Sequence, residues 1–486
     1  MSSAARNSAT PLDRIRARFL RRIVDDIDAF IRPGLRSGDA AERAAFAGLV
    51  LSRLAADGDR APAALARMKD QFAAEIARSA ALLGDQDPVP ADEVPGAAAE
   101  QVFALRTILA GLLRRLSSAG GDAAIQERLE AIFALEARWH AALSAAPADV
   151  RPVRDAPPSV YLRVTPESVT DYLRRRFPQT PEITAVSVEI LPGGRSKKTI
   201  FISIDGADRL PARVVMRQDT GMTHMGTAVV EEVPILRALA ESGLPIPEIL
   251  HVEAIETVLG PPFLLMRRLP GAPTGDFTAF AGVDPEFVAG AASALARLHA
   301  IDPRTAGFAD AAGELRRRVD AAWRQWRDNA IEPSPLIDFA FHWVSERCDE
   351  PYRRQAIVHG DYRPHNLLAA DGQLSGVLDW EFAHLGDPAE DLAYFRPTVT
   401  PVMPWPEFMG HYETAGGRAC DEETLHFYDV WGVLRLAALG AGAVRGFLDG
   451  ATEDFTQGAG GYFVIPMFER RLIELLQPIT QQGAEA

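Results

Sequence analysis

Four prolines crowd a polar stretch between Ala146 and Pro158, and the hydrophobic rhythm of the chain differs on its two sides. Pro147, Pro152, Pro157 and Pro158 resist both helix and sheet, so the run predicts a semi-stiff linker over 151–160 and a domain boundary there. Before it, over 1–150, apolar residues recur at helical spacing. Leu12, Ile15, Phe19, Ile23, Ile27 and Phe30 begin the pattern, and Pro33-Gly34 stops that run. Runs over Phe46–Leu54, Leu65–Leu83, Val102–Leu116 and Ile125–Trp139 follow, with short polar connections. Together they predict an all-α bundle of about five helices. Trp139 and His140 read as packing or surface residues, and nothing in this part carries chemistry.

After the linker the pattern changes. Thr165-Pro166 has the form of a helix start, with Pro at the first helical position. From about residue 183 the period becomes two, which marks half-buried strands. Ile183–Leu191, Thr199–Ile204 and Ala212–Arg217 read as strands, then a helix near Val229–Glu241, then strands near Ile249–Glu256 and Phe263–Arg268. Pro234 is tolerable only near the start of that helix, so the helix is expected to begin around Glu231. The expectation is an α+β architecture with two lobes: a small antiparallel β lobe over 161–269 and a helical lobe over 270–480. A hinge between such lobes leaves a cleft that can shut a ligand away from water.

Composition narrows the classes. A chain of 486 residues exceeds one ordinary core, and 47% hydrophobic with 24% charged residues is globular usage. The formal charge of −15 argues against nucleic acid or an anionic membrane surface as a main partner. Cys348 and Cys420 are too few and too far apart for a disulfide framework and read as reduced thiols. No apolar run suggests a signal peptide or a membrane span, so a cytoplasmic location is expected.

The chemistry lies in two strings. The first is His359-Gly360-Asp361-Tyr362-Arg363-Pro364-His365-Asn366, and the second is Leu378-Asp379-Trp380-Glu381. An Asp, an Asn five residues on and a second Asp thirteen beyond that suit phosphoryl transfer. Asp361 can aim an attacking hydroxyl and take its proton late. The Asn366 amide oxygen and the Asp379 carboxylate are hard donors that can hold Mg2+ against nucleotide phosphates.

These strings, with Leu385-Gly386-Asp387-Pro388-Ala389-Glu390-Asp391-Leu392, resemble the aminoglycoside phosphotransferase and choline kinase-like family. The resemblance covers about residues 160–475 and is closest to the branch related to kinase domains fused to acyl-CoA dehydrogenases. It implies a protein-kinase-like fold and transfer of a phosphate from Mg·ATP to a small-molecule hydroxyl. It also implies Asp361 as catalytic base, Asn366 and Asp379 as metal ligands, and Asp391 as a support that hydrogen-bonds the catalytic loop. His359 is expected to order that loop, Glu381 either to add a water-mediated metal contact or to pack, and Asp387 to cap a helix.

On the nucleotide side, Gly193, Gly194 and Ser196 would let backbone N–H groups approach phosphate, although a Gly-Gly hairpin gives the same string. Arg217 stands where kinases generally place a Lys. Glu232 is its expected partner, with Glu231 as runner-up. By the same resemblance, Met266 and Arg268 would fall in a hinge whose backbone groups bind a purine. For the acceptor, Trp323, Trp326, Trp405, His411, Tyr412, Trp431 and Arg435 are available but name no substrate. A metabolic or acyl-type acceptor is favoured over an aminoglycoside, and the 1–150 helices offer a surface for a homodimer. The alternative is a nucleotide-binding pseudokinase, for which the Arg217 departure speaks. A protein kinase fits less well, because Trp380-Glu381 replaces Phe-Gly and a helix start follows within about ten residues.

Overall fold

Helices form where the 3.6-residue spacing places them. The computed structural model describes Ile15, Phe19 and residues 68–84, 98–119, 123–143, 164–191, 197–206, 210–219, 228–276, 279–306, 308, 313–348, 355–451 and 455–482. The linker over 151–160, the run Phe46–Leu54 and the loop residues Gly193, Gly194 and Ser196 lie outside them. In the first part of the chain, α1 covers 68–82, α2 Ala98–Ser118 and α3 Ala123–Leu143.

The predicted helix start at Thr165 is a capping box. The Thr165 hydroxyl accepts from the Ser168 N–H, the Ser168 hydroxyl accepts from the Thr165 N–H, and α4 runs over Pro166–Arg176. Five strands follow: β1 (Thr184–Leu191), β2 (Lys197–Asp205), β3 (Arg213–Asp219), β4 (Ile249–Glu253) and β5 (Phe263–Arg267). They form one antiparallel sheet in the order β1-β2-β3-β5-β4. Alternate residues of β2 and β3 are buried, as a sheet packed mainly on one face requires. Ile200, Ile202, Met216, Phe263 and Leu265 meet Val169 and Leu173 of α4 in one core. Between β3 and β4, a 3-10 turn over Val229–Glu232 leads into α5 (Val233–Leu239), where Pro234 sits in the first turn as expected.

The later part is mainly helical, with short strands that its period does not reveal: β6 (Ala272–Pro273), β7 (Ala356–Val358), β8 (Leu367–Ala370), β9 (Gln373–Val377) and β10 (His384–Gly386). The helices are α6 (Pro285–Ala300), α7 (Glu314–Asn329), α8 (Pro335–Arg347), α9 (Pro388–Val399), α10 (Trp405–Thr414), α11 (Glu422–Asp449) and α12 (Phe455–Gln482). β7 pairs with β10, and β8 lies between β6 and β9. The two chemical strings are thereby pinned at strand ends.

The chain divides into two compact units, and the division differs from the expected domains. One comprises Met1–Arg154, Arg316–Asp349 and Val433–Ala486; the other comprises Asp155–Leu315 and Glu350–Gly432. The 1–150 helices are therefore completed by later ones: α2 packs on α8 and α3 on α12. Ile15 and Phe19 are buried among Val444, Phe447 and Ala459. Amphipathicity says which face of a helix is buried but not against what, so the pattern alone draws boundaries that are too contiguous. Within this unit Arg106 is fully enclosed, 2.7 Å from Glu136 and 3.5 Å from Glu469, and joins α2, α3 and α12. Buried ions of this kind persist only when paired.

Cys348 and Cys420 are both free thiols, as expected. Contrary to expectation, α11 is long and apolar enough to cross a membrane by length and composition alone: an 18-residue window in it has a mean hydropathy of 1.3, and 61% of that window is buried inside the protein.

The crossing of α11 and α12 depends on glycine. A Cβ on Gly461 would lie 2.3 Å from the Gly440 carbonyl oxygen, whereas one on Gly446 would meet nothing within 4 Å. Gly461→Ala should lower stability by about 1–3 kcal/mol in urea unfolding. Gly446→Ala, on an open helix surface, should be neutral or raise it by up to about 1 kcal/mol. Equal effects would contradict this close approach.

Candidate active site

The first chemical string is shaped by a buried carboxylate elsewhere in the chain. Asp387 caps α9, its Oδ1 accepting from the Ala389 N–H at 2.9 Å, with Pro388 at the first helical position. One turn on, Asp391 is fully buried and accepts from the backbone N–H groups of His359 at 2.8 Å and Gly360 at 2.9 Å. A third donor is His299 Nε2 at 3.1 Å, whose Nδ1 then accepts from the Tyr412 hydroxyl at 2.8 Å. Burial alone would raise the Asp391 pKa, but the hydrogen bonds from the His299 side chain and the His359 backbone outweigh it and hold the group below its usual 3.8.

Gly360 has φ +78°, and a Cβ there would lie 2.5 Å from the Phe382 carbonyl oxygen, so only glycine fits. His359 is neutral: its Nδ1 accepts from the Asp361 N–H at 3.2 Å and its Nε2 donates to the Leu378 carbonyl at 3.0 Å. Burial lowers its pKa from 6.5, against the pull of Asp391, Asp361 and Asp379. It thereby links the Asp361 N–H to the Leu378 carbonyl, one on each of the two strings.

The Asp361 carboxylate accepts from Asn366 Nδ2 at 2.9 Å, and His365 Nε2 lies 3.3 Å away. Asn366 Nδ2 also donates to the Asp361 carbonyl at 3.0 Å, which leaves its amide oxygen to meet a cation. The Leu378 N–H donates to the Asn366 carbonyl at 2.8 Å and ties the two strings together. Asp379 itself stands at φ +64°, a left-handed backbone that a short polar residue tolerates better than most.

Across from these loops, the sheet supplies the cations. Arg217 of β3 donates from Nε to Glu232 Oε1 at 3.2 Å and from Nη2 to Asp379 Oδ1. Glu232 is thus the partner and the exposed Glu231 is not. Lys197 of β2 is buried 3.4 Å from Glu381 and 3.5 Å from Asp219. One oxygen each from Glu232, Asp379 and Glu381 lies within 4.8 Å of the others, a donor set able to hold a metal ion. Burial, followed by the neighbouring carboxylates, pushes Glu232 up to about 7 despite Arg217.

Not every expected residue joins this cluster. Met266 is buried in the inner strand β5, and Arg268 lies over the Phe201 ring at 3.8 Å. Among the acceptor candidates, Tyr412 supports His299, Trp405 stacks on Phe408 with centroids 4.9 Å apart, and Trp431 is buried. Trp323, Trp326 and Arg435 belong to the other compact unit. The sequence reading missed His299 and His365 as neighbours of the loop carboxylates. His299 lies 92 residues before Asp391, and only the fold brings them together. His365 stands inside the motif, where the i,i+4 spacing to Asp361 was the available signal.

Residues 187–436, just over half of the chain, match the phosphotransferase enzyme family. The chain belongs to that family. It is 28% identical over 226 residues to acyl-CoA dehydrogenase family member 10 of Mus musculus, covering 43% of this chain and 20% of that protein. Acyl-CoA dehydrogenase family member 11 of Gallus gallus is 29% identical over 241 residues, covering 47% of this chain and 30% of that protein. Viomycin phosphotransferase of Streptomyces vinaceus is 30% identical over 246 residues, covering 47% and 79%. The chain therefore spans only 20% and 30% of the two acyl-CoA dehydrogenase relatives. A macrolide 2'-phosphotransferase structure from Brachybacterium faecium superposes with TM-score 0.43 at 19% identity, covering 60% of this chain and 97% of that one.

Asp391→Asn replaces an acceptor of three hydrogen bonds with a group that must turn one N–H toward other donors. It should cost about 3 kcal/mol near neutral pH. Because the Asp391 pKa is depressed in the folded state, its contribution is complete above 3.8 and is lost as pH falls through the lower folded value. Urea unfolding of both proteins should show their difference shrinking below about pH 4. A difference that stays constant into acid would contradict the assignment.

Proposed function

We propose that this chain is a Mg·ATP-dependent O-phosphotransferase that acts on a hydroxyl of a small molecule. The observation that carries the reading is the joined geometry of Asp361, Asn366 and Asp379: one carboxylate oriented by an amide, and a second carboxylate on a segment tied to that amide's backbone. In this reading Asp361 aims the acceptor hydroxyl and receives its proton. The acceptor oxygen bonds to the γ-phosphorus as the bond to the β,γ-bridging oxygen breaks, and ADP leaves. Asn366 and Asp379 would hold Mg2+, with Glu381, one oxygen of which lies within 4.8 Å of an Asp379 oxygen, close by; such an all-oxygen donor set suits a hard cation. Bound there, Mg2+ would neutralise charge on the phosphates. His359 and Asp391 keep the loop in position for this alignment.

The acceptor is proposed to be a metabolic or acyl-type hydroxyl compound rather than an aminoglycoside. The support is similarity to two proteins named for acyl-CoA dehydrogenases, set beside one named for viomycin. A second reading, a nucleotide-binding pseudokinase, is favoured by one feature: Arg217 bridges to Asp379, the carboxylate a metal needs.

Transfer of labelled γ-phosphate into a metabolite extract separates the two readings. Wild type should label a small molecule, and Asp361→Ala should lower the rate by about 100-fold or more. Nucleotide binding with no label transferred, across extracts from several growth conditions, would favour the pseudokinase.

A further inference from the structure

Lys197 is the first residue of β2 and follows directly on Gly193-Gly194-Arg195-Ser196. Its side chain is 4% exposed, an unusual place for an ammonium, which is rarely buried without a charged partner. In the β2–β3 register Lys197 stands opposite Asp219 and Thr199 opposite Arg217. Residues two apart share a face of a strand, so Lys197 and Arg217 project from the same face of the sheet. Both reach the segment Asp379–Glu381: Arg217 at Asp379 and Lys197 at Glu381.

The two cations are held differently. Arg217 is fixed between two carboxylates, Glu232 and Asp379, and a planar guanidinium bound on two sides has little freedom to turn. The Lys197 contacts to Glu381 and Asp219, at 3.4 and 3.5 Å, are each long for a charge-assisted hydrogen bond. An ammonium on a flexible stem can exchange one oxygen partner for another with little rearrangement. Asp219, Glu232, Asp379 and Glu381 outnumber Arg217 and Lys197, so a polyphosphate entering here needs a cation that can turn to meet it.

We infer that Lys197, on β2, is the side chain that binds the nucleotide phosphates, and that Arg217, on β3, is a positioning residue that holds Glu232 and Asp379. The inference rests on the phosphotransferase reading above and moves the phosphate-binding charge from the strand where kinases generally carry it to the neighbouring one. Asp379 and Glu381 are the carboxylates that would hold a divalent cation on this side, and the Lys197 ammonium would then be able to exchange Glu381 for a phosphate oxygen with neither charge left unpaired.

Isothermal titration calorimetry of the full chain with ADP and with adenosine, both in Mg2+, tests this, with unfolding midpoints recorded for each variant. Wild type should bind ADP more tightly than adenosine. Lys197→Gln should weaken ADP about 10- to 100-fold while leaving adenosine affinity unchanged. The double variant Lys197→Gln/Glu381→Gln, which removes both charges of the pair, should lose the same preference for ADP. Arg217→Gln should lower the unfolding midpoint and weaken both ligands alike. The inference is overturned if Lys197→Gln and the double variant bind ADP within about twofold of wild type while Arg217→Gln alone removes the preference. Wild type that binds neither ligand overturns the phosphotransferase reading, and this inference with it.

Discussion

The buried Asp391 carboxylate is the interaction on which the site depends. It gathers two consecutive backbone N–H groups and a histidine into the buried interior, and thereby sets the direction in which the chain leaves β7. Gly360 can follow that direction only because it lacks a Cβ, and His359 then bridges to the Leu378 carbonyl. The consequence is that Asp361 and Asp379, on different segments, are positioned by one hydrogen-bond network rather than by two independent loops. A network of this kind is rigid when every member is satisfied.

Electrostatics organise the opposite side. Four carboxylates and two cations lie in a small volume beside the sheet, and the cations come from adjacent strands. Arg217 draws Glu232 of the 3-10 turn and Asp379 of the loop to a single guanidinium, so the sheet and the loop are tied by charge as well as by packing. Through that bridge the Arg217 guanidinium, in the place where kinases generally carry a Lys, is engaged by two carboxylates.

Much of this was legible in the sequence, for identifiable reasons. Period-two alternation marked β2 and β3, whose alternate residues are buried, whereas β5 stood out as a short apolar run, Phe263–Met266, buried at every position. Proline and capping chemistry placed the starts of α4 and α9, since Thr165 and Asp387 each satisfy a backbone donor of the helix they begin. The motif spacing singled out Asp361, Asn366 and Asp379; in the structure Asn366 donates to the Asp361 carboxylate, and the residue before Asp379 donates to the Asn366 carbonyl. What was not legible depends on distance along the chain. His299 reaches Asp391 only in the fold, and the 1–150 helices pack on α8 and α12, which follow some two hundred residues or more later. Hydrophobic period reports the buried face of a helix and is silent about the partner, so the helical part was divided into lobes that the packing does not respect. The short strands β6 to β10 are too brief for alternation to register.

The central claim is that Asp379 and Asn366 form a cation site beside the Asp361 carboxylate. Mn2+ binding, followed by electron paramagnetic resonance in the presence of ADP, measures it without any acceptor. The account predicts that wild type immobilises Mn2+ with ADP and that Asp379→Asn weakens this about 100-fold or more, because it removes the charged ligand. Undiminished Mn2+ affinity in folded Asp379→Asn protein would contradict it.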